Sequence, residues 1–252
     1  MMSLSSRHKQ ILHYLHQSQG VLSSASLAER CDVSVQTIRK DLSELNVQGL
    51  VKRVHGGVCL PSDNDNVSFS HREIQNIQAK QHIANKVASA IPKGSSLFLG
   101  IGTTPKQVAM AMLDHPGATV VTNNINAALI LSRNANITVH LAGGAVRASD
   151  EDTMGESTSQ FYAGFHLKLG IFGVGGLNQQ GQLLDFTPEE AHINRAIIRH
   201  CQECWLVADL SKLQRFAPVV SAHMQEMTRW FSDGCSDTAE RIAKQNKVEL
   251  IY

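Results

Sequence analysis

Two runs of this 252-residue chain carry residue types suited to binding anions and base edges. The first is SVQTIRK, residues 34–40. Ser34 suits the cap of a helix over Val35 to about Val47, whose apolar face is Val35, Ile38, Leu42 and Leu45. The opposite side presents Gln36, Thr37, Arg39 and Lys40. Glutamine can pair with adenine through two hydrogen bonds, and arginine with guanine or a phosphate. The free N–H groups of the helix start can hold a phosphate as well. LVKRVHGGVCL follows as two short strands around Gly56-Gly57, with Lys52, Arg53 and His55 placed to meet a nucleic-acid backbone or minor groove. The second run is GIGTTPKQ, residues 100–107, in which Gly102, Thr103 and Thr104 lead into a helix. Backbone N–H groups and threonine hydroxyls at a helix start make an anion cradle. The GK[ST] ending of a P-loop is absent, and the third glycine of a dinucleotide fingerprint is out of place.

These residues need elements to position them. Ile11, Leu12 and Leu15 recur at helical spacing and Gly20 ends that helix; VLS then reads as a short extended bridge. Ser24 is the expected cap of a second helix with Ala25, Leu27, Ala28 and Cys31 on its small apolar face, and Asp32-Val33 make the turn. Two short helices, a tight turn, a polar-faced third helix and a basic hairpin predict a winged helix-turn-helix over residues 1–60. PSDNDNVSFS is nearly free of apolar residues, so 61–74 reads as a linker. Beyond it, the apolar runs SLFLG, ATVVT, ITVHLA, LGIFGV and CWLVAD alternate with helical stretches. That order predicts an α/β domain over 75–252 with a mainly parallel sheet and helices on both faces. Ligands bind such sheets at the carboxyl ends of strands. Asn123-Asn124, Gly143-Gly144 and Ser211-Lys212 all fall there, beside the GTT loop. Together they predict a polar pocket with one cation, no metal set and no cofactor, suited to a small phosphorylated metabolite.

Composition agrees with this division. Residues 1–60 carry seven Lys/Arg against four Asp/Glu, whereas 61–252 carry sixteen against eighteen, so the basic excess sits at the N-terminal end. No run of about 18 apolar residues predicts a membrane span, and the N-terminal MMSLSSRHKQ lacks the apolar core of a signal peptide. Five cysteines without dense spacing fit reduced thiols, and a cytoplasmic location is expected.

The run VSVQTIRKDLSELNVQGLVKRVHGGV closely resembles the signature of DeoR-family bacterial repressors, and FSHRE at 69–73 resembles the short motif that follows their linker. The second domain resembles the effector domain of that family through GTT at 102–104, TNN at 122–124, AGG at 142–144, MGE at 154–156, EEA at 189–191, RAII at 195–198 and the D-x-SK run at 209–212. Through the EEA match, Glu190 joins the candidate effector residues. IPKGSSLF, LAGGAVR and LLDF are similar to the glycerol-3-phosphate branch of the family. The resemblance implies a domain similar in fold to ribose-5-phosphate isomerase that senses phosphorylated sugars or polyols such as glycerol 3-phosphate. It further implies a homo-oligomer that represses a catabolic operon and leaves its operator DNA when that effector binds. Gly100, Lys168 and Asn194 depart from the family pattern, which usually has Asp, Asp and Lys there, so effector identity is where this chain can differ.

An isomerase on the same fold is the competing reading, with Glu190 as base and Lys212 as stabiliser. A DNA-binding half is not needed for that, and Gly100 and Asn194 remove charged groups. A second domain that only oligomerises is disfavoured by the Thr, Asn and Lys residues in its loops. Cys201 and Cys204 have redox spacing, but one pair cannot close a zinc site, so core packing is expected for Cys204. His192 and His200 read as surface-helix residues, Trp205 and Trp230 as core, and 237–247 as a solvated closing helix.

Overall fold

The computed structural model describes residues 4–18, 21–48, 50–54, 57–59 and 69–252, and the chain divides into compact units Met1–Gln75 and Asn76–Tyr252. In the first unit, α1 (Ser6–Ser18), α2 (Ser24–Cys31) and α3 (Val35–Val47) precede a hairpin of β1 (Lys52–Val54) and β2 (Gly57–Cys59), then α4 (Phe69–Ile74). Periodicity explains the packing: Ile11, Leu15, Leu27, Ile38, Leu42 and Leu45 meet in one small core with Val51 and Val58. Leu22 bridges to Val58 and adds a third extended segment to the hairpin.

Local chemistry sets the helix ends. Ser34 caps α3 by accepting from the Thr37 N–H at 3.1 Å. Ser23, rather than the expected Ser24, caps α2: Ser23 is the extended residue, and its Oγ reaches the Ser26 N–H. Val35, expected on the apolar face, is 37% exposed at the open first turn of α3. Asp41, not expected on the buried side, is buried and bound by Arg7 Nε at 2.6 Å, tying α1 to α3. Although burial works the other way, Arg7 and His8 hold this carboxyl below its ordinary range.

In the second unit, α5 (Ile77–Ala90), β3 (Ser95–Leu99), α6 (Thr103–Ala111), β4 (Ala118–Thr122), α7 (Ile125–Leu131) and β5 (Ile137–Leu141) come first. A hairpin of β6 (Ala145–Arg147) and β7 (Asp152–Met154) follows, then α8 (Glu156–Ala163), β8 (Leu167–Phe172), β9 (Gly176–Leu177) and β10 (Gln182–Asp185). The chain ends with α9 (Pro188–Arg199), β11 (Cys201–Val207), β12 (Val219–His223), β13 (Arg229–Phe231), α10 (Asp237–Asn246) and β14 (Glu249–Ile251).

Seven strands form one parallel sheet in the order β14-β13-β11-β8-β3-β4-β5. Side-chain alternation divides its core in two. Leu97, Leu99, Trp205 and Val207 pack with α5, α6 and α7. Phe98, Cys204, Leu206 and Trp230 pack with α8, α9 and α10. The small sheet β12-β10-β9 and the β6–β7 hairpin are antiparallel additions that the apolar runs do not announce. From central β3 the chain winds outward to β5, then crosses back to β8 and winds the other way. The strand order therefore reverses between β3 and β8, where loops part and leave a crevice at the carboxyl ends.

Candidate nucleic-acid interface and anion pocket

On the first unit, Gln36, Arg39 and Lys40 stand exposed along α3, and Thr37 is half-buried. Ser34 is exposed, but its Oγ is occupied by the Thr37 N–H and lies 2.8 Å from Thr37 Oγ1, so it holds the helix start. Lys52 and Arg53 are exposed on β1. Arg53 Nη2 donates to Ser43 Oγ at 2.6 Å and to the Arg39 C=O at 3.3 Å, fastening the hairpin to α3. A cleft between α3 and the hairpin is lined by Ser23, Ser24, Arg39, Ser43 and Arg53. His55 and Gly56 lie outside the described residues, as does most of the expected linker.

On the second unit, the GTT loop leaves β3 at the reversal point. Gly102 has φ +104°, a backbone state that side-chain-bearing residues rarely adopt, and it opens α6 without a side-chain cap. The first-turn N–H groups of α6 are therefore not claimed by a capping side chain, the condition for an anion cradle. Thr103 and Thr104 are buried in that turn, and Lys106 follows, also buried. Asn124 Nδ2 donates to the Gly102 and Gly100 carbonyls at 3.2 and 3.4 Å, and its Oδ1 caps α7 through the Ala127 N–H. Asn123 is fully buried and structural: its Nδ2 donates to Thr153 C=O, and Tyr162 Oη donates to its Oδ1.

Across the crevice, Asn194 Nδ2 donates to Gly173 C=O just beyond β8. Lys212 follows β11, the next strand outward, and is half-buried in a short 3-10 turn. That turn is capped by Asp209 Oδ1, which accepts from the Ser211 N–H at 3.0 Å; Asp209 Oδ2 is buried with no hydrogen-bond partner among the described residues. The loops carrying Gly102–Thr104, Asn124 and Lys212 thus lie at one end of the sheet.

Gly143 and Gly144 follow edge strand β5, two strands from the crevice, and start the β6–β7 hairpin. That hairpin ends in an ion cluster. Arg147 binds Asp152 through Nη2 at 2.7 Å and Glu190 through Nη1 at 2.8 Å, with Asp150 at 3.4 Å. Burial alone would lower the Arg147 pKa, but the bonds to Asp152 and Glu190 outweigh it and raise it. Burial likewise raises Asp152 against the pull of Arg147. Glu190 Oε2 accepts from the Phe186 and Thr187 N–H groups in a capping box, so both its oxygens are engaged. A carboxylate so occupied is poorly placed to act as a general base.

Sequence reasoning missed Arg147, Asp152, Asp185 and Arg215. Asp185 is wholly buried, and burial with the nearby Glu190 charge pushes its carboxyl up to about 6. Arg215 donates to Gly175 C=O at 3.3 Å and lies over the Phe186 ring. The position of Asp185 after apolar Leu183-Leu184 was a usable strand-end signal. Of the three departures from the family pattern, Gly100 follows β3 and Asn194 bonds the Gly173 carbonyl just beyond β8, both at the carboxyl end of the sheet, whereas exposed Lys168 sits at the amino end of β8. A Cβ on Gly100 would lie 2.8 Å from Phe172 Cβ, so this β3–β8 spacing admits only glycine there. Trp205 and Trp230 are in the core, and the free thiols of Cys201 and Cys204 lie 3.3 Å apart on β11. His192 and His200 belong to α9 and its end. Among the described residues no helix is long and apolar enough to cross a membrane.

Comparison with known proteins gives these geometries a family. The DeoR-like helix-turn-helix domain matches residues 7–64, and the DeoR C terminal sensor domain matches residues 75–234. The glycerol-3-phosphate regulon repressor of Escherichia coli (strain K12) is 43% identical over 218 residues, 86% of each chain. Its namesake in Haemophilus influenzae is 38% identical over 250 residues, 99% of this chain and 97% of that one. A solved ribose 5-phosphate isomerase A from Methanocaldococcus jannaschii aligns over 56% of each chain at 11% identity, with a TM-score of 0.41. Both halves of the chain match parts of one family, and these two relatives, alike over most of its length, are glycerol-3-phosphate regulon repressors: the chain belongs to the DeoR family of DNA-binding transcriptional regulators.

Proposed function

We propose that this regulator represses a sugar or polyol catabolic operon and is released from its operator by a phosphorylated sugar or polyol, glycerol 3-phosphate being the first candidate. The observation that carries the effector class is the uncapped start of α6, with buried Thr103 and Thr104 at the sheet's reversal point. A phosphate there meets backbone N–H groups and the positive end of the helix dipole. Lys212 supplies a cation from the neighbouring loop, and Asn124 braces the cradle by holding Gly100 and Gly102. Gly143, Gly144 and Glu190 support the pocket from the hairpin side, Glu190 through Arg147, and Asn123 holds the loop from beneath. The names of the two similar repressors support the choice of polyol.

In this reading residues 1–60 are the DNA-binding domain, 61–74 a linker whose last six residues form α4, and 75–252 the sensor and oligomerisation domain. Gln36, Arg39 and Lys40 face the major groove, with Thr37 beside them and Ser34 fixing the helix. Lys52, Arg53 and His55 lie along the backbone. One such module covers little DNA, so a specific operator needs at least a dimer. A protein that reads operator DNA works in the cytoplasm.

The test selects binding sites from random duplexes, then titrates glycerol 3-phosphate into the complex and follows fluorescence anisotropy. Dissociation by glycerol 3-phosphate, with none by glycerol, is expected. A complex indifferent to glycerol 3-phosphate and to other sugar phosphates sinks the effector assignment.

A further inference from the structure

Two asparagine amides brace the two loops of the β3–β8 crevice, and only one of them is complete. Asn124 Nδ2 donates to the Gly100 and Gly102 carbonyls, and its Oδ1 receives the Ala127 N–H at 3.1 Å. Asn194 Nδ2 donates to Gly173 C=O at 3.3 Å and to Asp185 Oδ2 at 2.8 Å. Its Oδ1 is buried with no hydrogen-bond partner among the described residues, in a side chain 1% exposed. Reversing the amide would turn its oxygen onto a carbonyl and a carboxylate, both acceptors. The orientation is therefore fixed, and the leftover group is an acceptor. Native interiors rarely keep such an atom unless a water or a ligand completes it.

Asp185 sharpens the demand. Its Oδ1 takes the Gly175 N–H at 3.0 Å and its Oδ2 takes Asn194, while Glu190 adds like charge nearby. A carboxyl so deeply buried gains from any donor brought within reach. The phosphate dianion of an effector is a poor partner, because its oxygens only accept and its charge opposes Asp185. A hydroxyl can.

We propose that Asn194 Oδ1, backed by Asp185, is a hydroxyl-reading subsite at the β8 side of the crevice. The effector then binds with its phosphate at the α6 N-terminus and a hydroxyl on Asn194. This rests on the phosphorylated-polyol reading above and adds the element that tells a polyol phosphate from a plain alkyl phosphate. A site built to bond a hydroxyl rejects the analogue lacking it, because its own polar groups are then stranded.

Calorimetric titration of the full chain with glycerol 3-phosphate, propyl phosphate and inorganic phosphate tests it. The wild type binds glycerol 3-phosphate about ten-fold or more tightly than propyl phosphate, the worth of one buried hydrogen bond. In Asn194→Leu that ratio falls towards one, whereas a residue with only a packing role would weaken both esters alike. Equal wild-type affinity for the two esters overturns the subsite even where Asn194→Leu does not fold. So does a folded Asn194→Leu, judged by its melting curve, that keeps the full preference. If no phosphate ester binds the wild type at all, the effector class itself falls and the subsite with it.

Discussion

Arg39 and Arg53 carry the same charge into the same cleft but do different work. Arg53 is committed to Ser43 and to the Arg39 carbonyl, so it sets the angle of the hairpin. The Arg39 side chain is exposed on the outer face of α3 and is the better reader of DNA. Arg39→Ala should weaken operator binding by about 1–3 kcal/mol while leaving the melting temperature and effector binding in place; anisotropy with a selected duplex measures it, and unchanged affinity would remove α3 from the interface. Asp185 supplies a prediction of another kind. Its folded pKa of about 6 lies above the ordinary value of 3.8, so the folded state holds its proton more tightly than the unfolded chain does. Its contribution is favourable below pH 3.8 and is lost as pH rises to about 6, by roughly 3 kcal/mol at most. Asp185→Asn removes the titration, so stability measured by urea unfolding should fall less between pH 4 and 6 in the variant than in the wild type. Parallel slopes would mean that Asp185 is ionised in both states.

Helix α6 is where one element's start becomes a binding surface. Gly102→Ala adds a Cβ with room to sit, 3.9 Å from Pro105 Cδ, yet places alanine at φ +104°. The cost should be about 1–3 kcal/mol of backbone strain, with glycerol 3-phosphate affinity falling as the first-turn N–H groups tilt. Thermal unfolding and calorimetry read the two effects separately; an alanine variant as stable as the wild type would show that the loop relaxes. Elements like α3 and α6 were legible in the sequence because their signals are local. Ser34 sits three residues before the N–H it caps, and the apolar stripe Ile38, Leu42, Leu45 repeats within one helix. Five of the seven parallel strands, β3, β4, β5, β8 and β11, were legible for the same reason, as short apolar runs leading into Gly, Asn or Asp; β13 and β14, of three residues each, carry too short a pattern to announce themselves. The ion cluster was not. Arg147 and Glu190 are 43 residues apart, and Arg147 is delivered by a hairpin of three-residue strands too short to carry a pattern. Asp41 was hidden differently: a carboxylate on an apolar face reads as exposed until Arg7, 34 residues earlier, is seen to bond it.

At the scale of the whole chain, the reading requires that one domain hold DNA and the other decide when. Repressor and effector are then linked through free energy, and the effector can shift operator affinity only by its preference for the low-affinity state. A change in the phosphate cradle should therefore leave DNA binding intact and move only the release curve. Thr103 is suited to test this, being buried in the first turn of α6 in a different compact unit from Arg39. Thr103→Val keeps the shape and deletes the hydroxyl. The loss of one hydrogen bond to a charged phosphate, about 1.5 kcal/mol or more, should raise the glycerol 3-phosphate needed for half-release by about ten-fold or more. Operator affinity without effector should match the wild type, and the thermal shift at a fixed effector concentration should shrink, because stabilisation follows ligand occupancy. Lys212→Ala should behave alike, with a larger shift because its interaction carries a full charge. If both variants release at wild-type concentrations, the cradle is not at α6. If both lose operator binding instead, the two halves are not separable in the way the geometry of each suggests, and the sensor domain's own assembly is what the operator requires.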